Sequence, residues 1–171
     1  RLFTTCLRQV RLNEEFTLQT GDPEAVHQLR VGLRRLRSLL QVYKPNLPGT
    51  HYNRYARELK WIARRSGAVR DWDVFVEERI EPLRRAFPEL SSLDVLRGQA
   101  RGQRNRAQSS LKRALRSTRY NRFLLEISEW IHARRWREQP VTEQSAQLFA
   151  PVREFADQRL QQLHHKAVAK A

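Results

Sequence analysis

The chain has 171 residues, 33 of them Lys or Arg and 18 Asp or Glu, for a formal net charge of +15. An apolar fraction of 40% with seven Phe and four Trp excludes a disordered basic tail, and the length allows one domain, or two small ones, with a real core. The lone Cys6 excludes an internal disulfide, no apolar run is long enough to span a membrane, and the charge excess asks for a polyanion: nucleic acid, anionic lipid or another phosphate polymer.

Gly and Pro are few and fall between periodic segments, and no stretch alternates at period two, so the fold class reads as all-α. A first helix is predicted over 2–20, with Phe3, Cys6, Leu7 and Val10 as its seam and a pattern that weakens towards Phe16. Asp22 as N-cap, Pro23 at the first helical position and Pro45 as terminator bound a second. On it Val26, Leu29, Leu33, Leu36, Leu40 and Tyr43 recur at steps of three and four, and Lys44 lies where the helix dipole favours a cation. A third helix is expected over 51–66, with Tyr52, Tyr55, Leu59 and Ile62 inward and Gly67 as a left-handed stop. A fourth starts near Arg70 and turns Val69, Trp72, Val76, Ile80, Leu83 and Phe87 inward, with Pro82 kinking or breaking it.

Residues 88–92 form a joint, and Ser91 or Ser92 caps a fifth helix over 93–117, where Leu93, Leu96, Ala100, Ala107, Leu111 and Ala114 are in phase. A sixth covers 120–137 with Leu124, Ile127, Trp130 and Ile131 inward. A seventh begins within 142–145 and carries Leu148, Val152, Phe155 and Leu163. About seven helices with short connections predict antiparallel bundles: 1–90 as a first four-helix bundle and 91–171 as a second that three helices leave incomplete. The opening Arg1-Leu2-Phe3, with neither Met nor a signal-like segment, suggests a trimmed N-terminus and a cytoplasmic location.

One position after the seam of the second helix, His27, Arg30, Arg34, Arg37 and Gln41 recur at the same steps, about 100° further round, and Arg35 adds charge on another face. Charged residues ordinarily cover the solvent side of a helix, and arginine stems can shield a core edge. A solvated face usually mixes signs, however, because acid–base pairs four residues apart stabilise a helix, and 27–44 contains no acid. Like charges at this spacing repel unless an anion covers them, which favours anion binding. On the third helix Arg57, Lys60 and Arg64 share one side, with Glu58 as the nearby acid. Antiparallel packing of helices two and three would bring both stripes to one groove. The second half adds Arg101, Arg104, Arg106, Lys112, Arg113, Arg116, Arg119 and Arg122, distributed around the axis so that several read as plain surface. The preponderance of Arg over Lys suits phosphate, since a guanidinium can donate two hydrogen bonds to one oxyanion.

Catalytic signals are weak. Cys6 has no His near it in sequence, no Gly-Xaa-Ser-Xaa-Gly elbow exists, and 98–102 lacks the Lys-Ser/Thr pair of a phosphate loop. His27, His51 and His132 are scattered, and the adjacent His164 and His165 point about 100° apart, so no metal site is expected. Asp71 and Asp73 are two apart and do not share a helix face; as first-turn acids of the fourth helix they read as structural, and Glu77 and Glu78 as exposed surface.

Residues 27–37, His-Gln-Leu-Arg-Val-Gly-Leu-Arg-Arg-Leu-Arg, preceded by Asp22-Pro-Glu-Ala-Val and followed by Tyr43-Lys-Pro45, resemble the signature helix of the CHAD domain, the conserved histidine α-helical domain. Residues Glu58 to Arg64, and Gly67-Ala-Val-Arg70-Asp71-Trp72-Asp73-Val74 after them, are similar to that family's junction between third and fourth helices. Leu115-Arg-Ser-Thr-Arg119-Tyr120 is a weaker match. The resemblance implies two pseudo-symmetric four-helix bundles with a basic channel or pore between them. It further implies binding of inorganic polyphosphate, location on polyphosphate granules and the company of a triphosphate-tunnel enzyme domain. Carried over by position, His27, Arg30, Arg34, Arg35 and Arg37 line the basic surface, with Arg57, Lys60 and Arg64 beside them and Lys112, Arg113, Arg116 and Arg119 added from the second half. His27 is expected as a hydrogen-bond donor or cation towards phosphate, not as a metal ligand.

The family's usual second His-Xaa-Leu-Arg helix has no counterpart here, and His132-Ala-Arg134-Arg135 does not fit it, so a second copy of the chain, as a homodimer, could supply the missing surface. The expected protein is a polyphosphate-binding module without catalytic residues, metal or cofactor, for which nucleic acid is a weaker competitor. The alternatives are a basic helical nucleic-acid-binding protein and an accessory domain of a polyphosphate- or triphosphate-processing enzyme.

Overall fold

The computed structural model describes residues 2–138, 140–146 and 149–169, apart from the side chains at 144, 152, 163, 166 and 167. Helix α1 (Leu2–Gln19) turns through residues 20–22 into α2 (Pro23–Tyr43). The Asp22 carboxylate accepts from the Glu24 N–H at 3.1 Å and Pro23 opens the helix, as the sequence predicts. Gly21 makes the turn with φ of 68°, and a Cβ there would stand 1.5 Å from Gln108 Nε2, so backbone and space both require glycine.

After a 3-10 turn over Lys44–Asn46 comes α3 (Gly49–Phe75), where the structure departs from expectation. The third and fourth predicted helices are one. Gly67 is not a stop but a buried helical residue. A lone glycine weakens a helix by about 1 kcal/mol without removing a hydrogen bond, and burial of Ile62, Ser66 and Val69 around it outweighs that loss. The rod continues through a π-helical turn, Val76–Ile80, into α4 (Glu81–Ala86). The widened turn lies just ahead of Pro82, whose ring would otherwise meet the carbonyl four residues back. Leu83 and Phe87, predicted inward, are exposed, because α4 reaches a region where chiefly the start of α5 lies alongside.

Helix α5 (Ser92–Leu115) returns antiparallel to α3, and Leu96, expected in its inward phase, is exposed. Ser117 caps α6 (Thr118–His132), its hydroxyl accepting from the Tyr120 N–H at 3.3 Å. Helix α6 carries on in the direction of α5, along the N-terminal part of α3. The ion pairs Asp73–Arg104 and Glu58–Arg119 set this order. Thus α1, α2, α3 and the composite α5–α6 enclose one core, with Leu29, Leu33, Leu59, Ile62, Leu111 and Trp130 among its fully buried members. That core runs continuously across position 90; division into units 1–90 and 91–171 is a sequence-based proposal.

Helix α6 ends at His132, short of the expected 137, and a left-handed Arg134 (φ 53°) leads into a 3-10 turn over Arg135–Arg137. The predicted seventh helix is two, α7 (Glu143–Ala146) and α8 (Val152–Val168), the second preceded by Pro151. Phe155 is buried and stacks on Tyr43 at 4.9 Å, while Leu148 and the side chains of Val152 and Leu163 lie outside the described residues. Among the described residues no strand occurs, and no helix is long and apolar enough to cross a membrane.

Inside the bundle the Tyr120 hydroxyl donates to Glu14 Oε2 at 3.2 Å, joining α6 to α1. Burial raises the Glu14 carboxyl above the usual glutamate range, with Arg11 partly opposing it. The folded state therefore holds this proton more tightly than the unfolded chain. The group's contribution to stability is complete below the ordinary glutamate pKa of about 4.3 and is lost as pH rises through the raised folded value. Glu14→Gln keeps an acceptor for Tyr120 and removes that loss. Thermal unfolding should show its Tm gaining on the parent as pH rises above the ordinary glutamate pKa of about 4.3; an offset independent of pH would contradict the assignment.

Candidate anion-binding surface

Antiparallel packing of α2 on α3 sets Arg30 level with Gly67, and Arg37 level with Lys60 and Arg64. These four cations line a depression of about 370 Å³ that has Asp71 at its edge. On the other flank of α3, against α5, Arg57, Lys60, Trp61, Arg64, Arg65 and Ser110 line a second depression of about 510 Å³. Lys60 and Arg64 belong to both and form a cationic ridge between two basic troughs.

Part of the basic surface is neutralised in ion pairs. Arg54, Arg70, Arg84, Arg97, Arg119 and Arg135 each reach a carboxylate. Among the described residues Arg30, Arg37, Lys60 and Arg64 reach none. Four unpaired cations on one concave face repel one another, and an anion bound there relieves that repulsion.

Gly67 owes its place in mid-helix to this face. A Cβ on it would stand 2.6 Å from Arg30 Nη1, so the missing side chain lets the guanidinium lie against the α3 backbone. Gly67→Ala is expected to leave Tm unchanged or raise it, since helix propensity gains up to about 1 kcal/mol and only the far end of a flexible side chain must move. Anion affinity should fall severalfold as Arg30 is pushed aside. A titration showing affinity intact would mean that Arg30 does not act from this position.

At the N-terminal end of the α3–α5 trough the Arg119 guanidinium lies 4.1 Å from the Trp61 ring centre and that of Arg65 4.8 Å. Arg119 also donates to both oxygens of the largely buried Glu58, at 2.6 and 3.2 Å, and Glu58 lies 3.5 Å from Arg57. Arg119 is thus held in a set orientation by an aromatic face and a carboxylate.

Other predicted residues are dispersed. His27 is partly buried one turn before Arg30, and the α2–α3 depression is not lined by it. Arg34 and Arg35 face a separate depression of about 330 Å³ shared with Cys6 and Leu39, between α1 and α2, where Arg35 Nη1 donates to Gln9 Oε1 at 3.0 Å. Lys112 and Arg116 follow Ser110 by two and six residues, about 200° and 240° round α5, and so are turned from the trough; Arg113, about 60° from Ser110, flanks it.

Two features escaped the sequence pattern. The charge pattern does not single out Arg65, although its position four residues after Trp61 matches a stacking pair on one helix face. Arg104, grouped with surface cations, is the largely buried partner of Asp73. Its Nε lies 2.9 Å from Asp73 Oδ1, its Nη2 donates to the Gly21 carbonyl at 2.9 Å, and its Nη1 donates to Gln108. The expectation that Asp71 and Asp73 begin a helix is corrected: both lie inside α3, Asp73 buried in that ion pair and Asp71 exposed. Among the described residues no three His, Cys, Asp or Glu side chains gather as a metal cage.

The model of the CHAD domain family matches residues 1–171. The chain belongs to this family. This CHAD domain is also similar to the crystal structure of the CHAD domain from the plant Ricinus communis, with a TM-score of 0.70 and 28% identity. That match covers 99% of the chain and 54% of the Ricinus chain. The uncharacterized protein MT2285 of Mycobacterium tuberculosis (strain CDC 1551 / Oshkosh) is 35% identical over 127 residues, 70% of this chain and 25% of that protein. The chain therefore spans about half of the one relative and a quarter of the other. Neither the family match nor the Ricinus structure gives a positive sign of catalysis.

Proposed function

We propose that this CHAD domain binds inorganic polyphosphate, without turning it over, along the ridge and troughs of α2, α3 and α5. The observation that carries this reading is the convergence of four cations without ion pairs, Arg30, Arg37, Lys60 and Arg64, on one concave face. A flexible chain of identical phosphates can follow such a face and shift along it without losing contacts on average. Released counterions supply most of the affinity, and guanidinium forks add geometric selectivity. Nucleic acid fits less well, because the Trp61 ring in this surface is attended by Arg65 and Arg119, which hinders base stacking. On this reading the domain would hold a protein to polyphosphate granules, or hold the polymer for a neighbouring triphosphate-tunnel enzyme domain.

The test is a competition titration near physiological salt, with long-chain polyphosphate, duplex DNA and single-stranded RNA matched for phosphate charge. Preference for polyphosphate by tenfold or more, about 1.4 kcal/mol, supports the reading. Equal competition would put the nucleic-acid reading first, and sustained phosphate release with Mg²⁺ or Mn²⁺ would revive an enzymatic one.

A further inference from the structure

The seam between α3 and α5 continues past the basic trough towards α4 and changes character. Trp72, Phe75, Leu96 and Ala100 line a depression of about 820 Å³ there, with Asp71 and Arg106 at its polar edge. Leu96 is 38% exposed, and Leu83, Phe87, Leu90 and Val95, from α4 through the turn into α5, are more so. Exposed apolar side chains gathered in one region mark an interaction surface more than a solvated one. The basic trough and the apolar depression follow one another along the same two antiparallel helices, Ala68 and Ala107 bounding the first, Trp72 and Gln103 the second. From Arg57 to Phe75 the crevice runs about 27 Å, the length of a helix of roughly 18 residues.

A crevice between two antiparallel helices is the shape that seats a third. Its occupant must offer apolar side chains along a stripe and negative charge towards one end. A second copy of this chain fails on charge, since it carries +15 itself. A phosphate polymer satisfies the basic end and leaves the apolar end bare. We propose that the α3–α5 crevice docks an acidic amphipathic helix of a partner protein, its apolar stripe on Trp72, Phe75 and Leu96 and its carboxylates against Lys60, Arg64 and Arg65. The basic half shares Lys60 and Arg64 with the polyphosphate face, so the two ligands would compete there, whereas the apolar half uses residues that no phosphate would contact.

The experiment is a calorimetric titration of the chain with three synthetic helical peptides of roughly 18 residues. One has Leu at i, i+3, i+4 and i+7 flanked by Glu, the second has the same residues scrambled so that no stripe forms, and the third has Lys in place of Glu. The striped acidic peptide is expected to bind at least about tenfold more tightly than either other, with hydrogen-exchange protection on residues 71–75 and 96–106. Leu96→Asp, at an exposed position, should cost tenfold in that affinity with Tm unchanged. The double variant Lys60→Glu, Arg64→Glu should shift preference towards the lysine peptide. No binding of the striped acidic peptide, equal binding of the scrambled one, protection elsewhere, or full affinity in Leu96→Asp would each overturn the proposal.

Discussion

Replacing Arg30, Arg37, Lys60 and Arg64 together by glutamine is expected to lower polyphosphate affinity by at least about a hundredfold near physiological salt, with helicity retained. All four are exposed and free of ion pairs among the described residues, so their replacement breaks no ion pair of the bundle. Each phosphate engaged on a single-stranded polyanion contributes about 0.7 to the log–log salt slope, so four lost contacts should flatten it by roughly 3. The decisive control changes Arg34, Arg35, Lys112 and Arg116 to glutamine. It removes the same formal charge from positions outside the α2–α3–α5 face. That variant should lose no more than severalfold. Equal losses in the two would mean that binding senses net charge alone, and the site assignment would fall.

Asp73→Ala is expected to destabilise the fold by about 3–5 kcal/mol, a fall in Tm of roughly 6–20 °C for a chain of this length. The Asp73 side chain is 5% exposed and that of Arg104 17%, so deleting the carboxylate strands a guanidinium where water compensates poorly. The damage spreads because Arg104 also holds the Gly21 carbonyl, tying α3 and α5 to the α1–α2 turn. Replacing the pair by Leu and Met should cost less than the sum of the single changes, since neither charge is then left alone. Urea unfolding of the four proteins closes the cycle. A loss below about 1 kcal/mol in Asp73→Ala would show that the pair behaves as an exposed one.

Sequence period and end signals carried the helices wherever the deciding forces are local. Asp22, Pro23 and the seam from Val26 to Leu40 announce α2 because capping geometry and the 3.6-residue repeat act within a few residues. Leu124, Ile127, Trp130 and Ile131 announce the buried side of α6 in the same way. Gly67 misled because its local preference, a weak helix former, is overruled by packing that brings Arg30 against its bare backbone. Arg104 misled because nothing near it in sequence names a partner 31 residues away.

The basic site shows the same limit. A charge of +15 and an acid-free run from His27 to Lys44 are legible as composition, and with them the expectation of an anionic ligand. Which cations converge is not. Arg30 and Arg37 meet Lys60 and Arg64, while Arg34 and Arg35 go to the α1 side, because the register between helices is set by the fit of their core side chains. Helix type, caps and charge are properties of short stretches and can be read along the chain. The partners of Asp73, the division of the α2 arginines between two depressions and the apolar end of the α3–α5 crevice depend on which helix faces lie side by side, and packing across the core settles that.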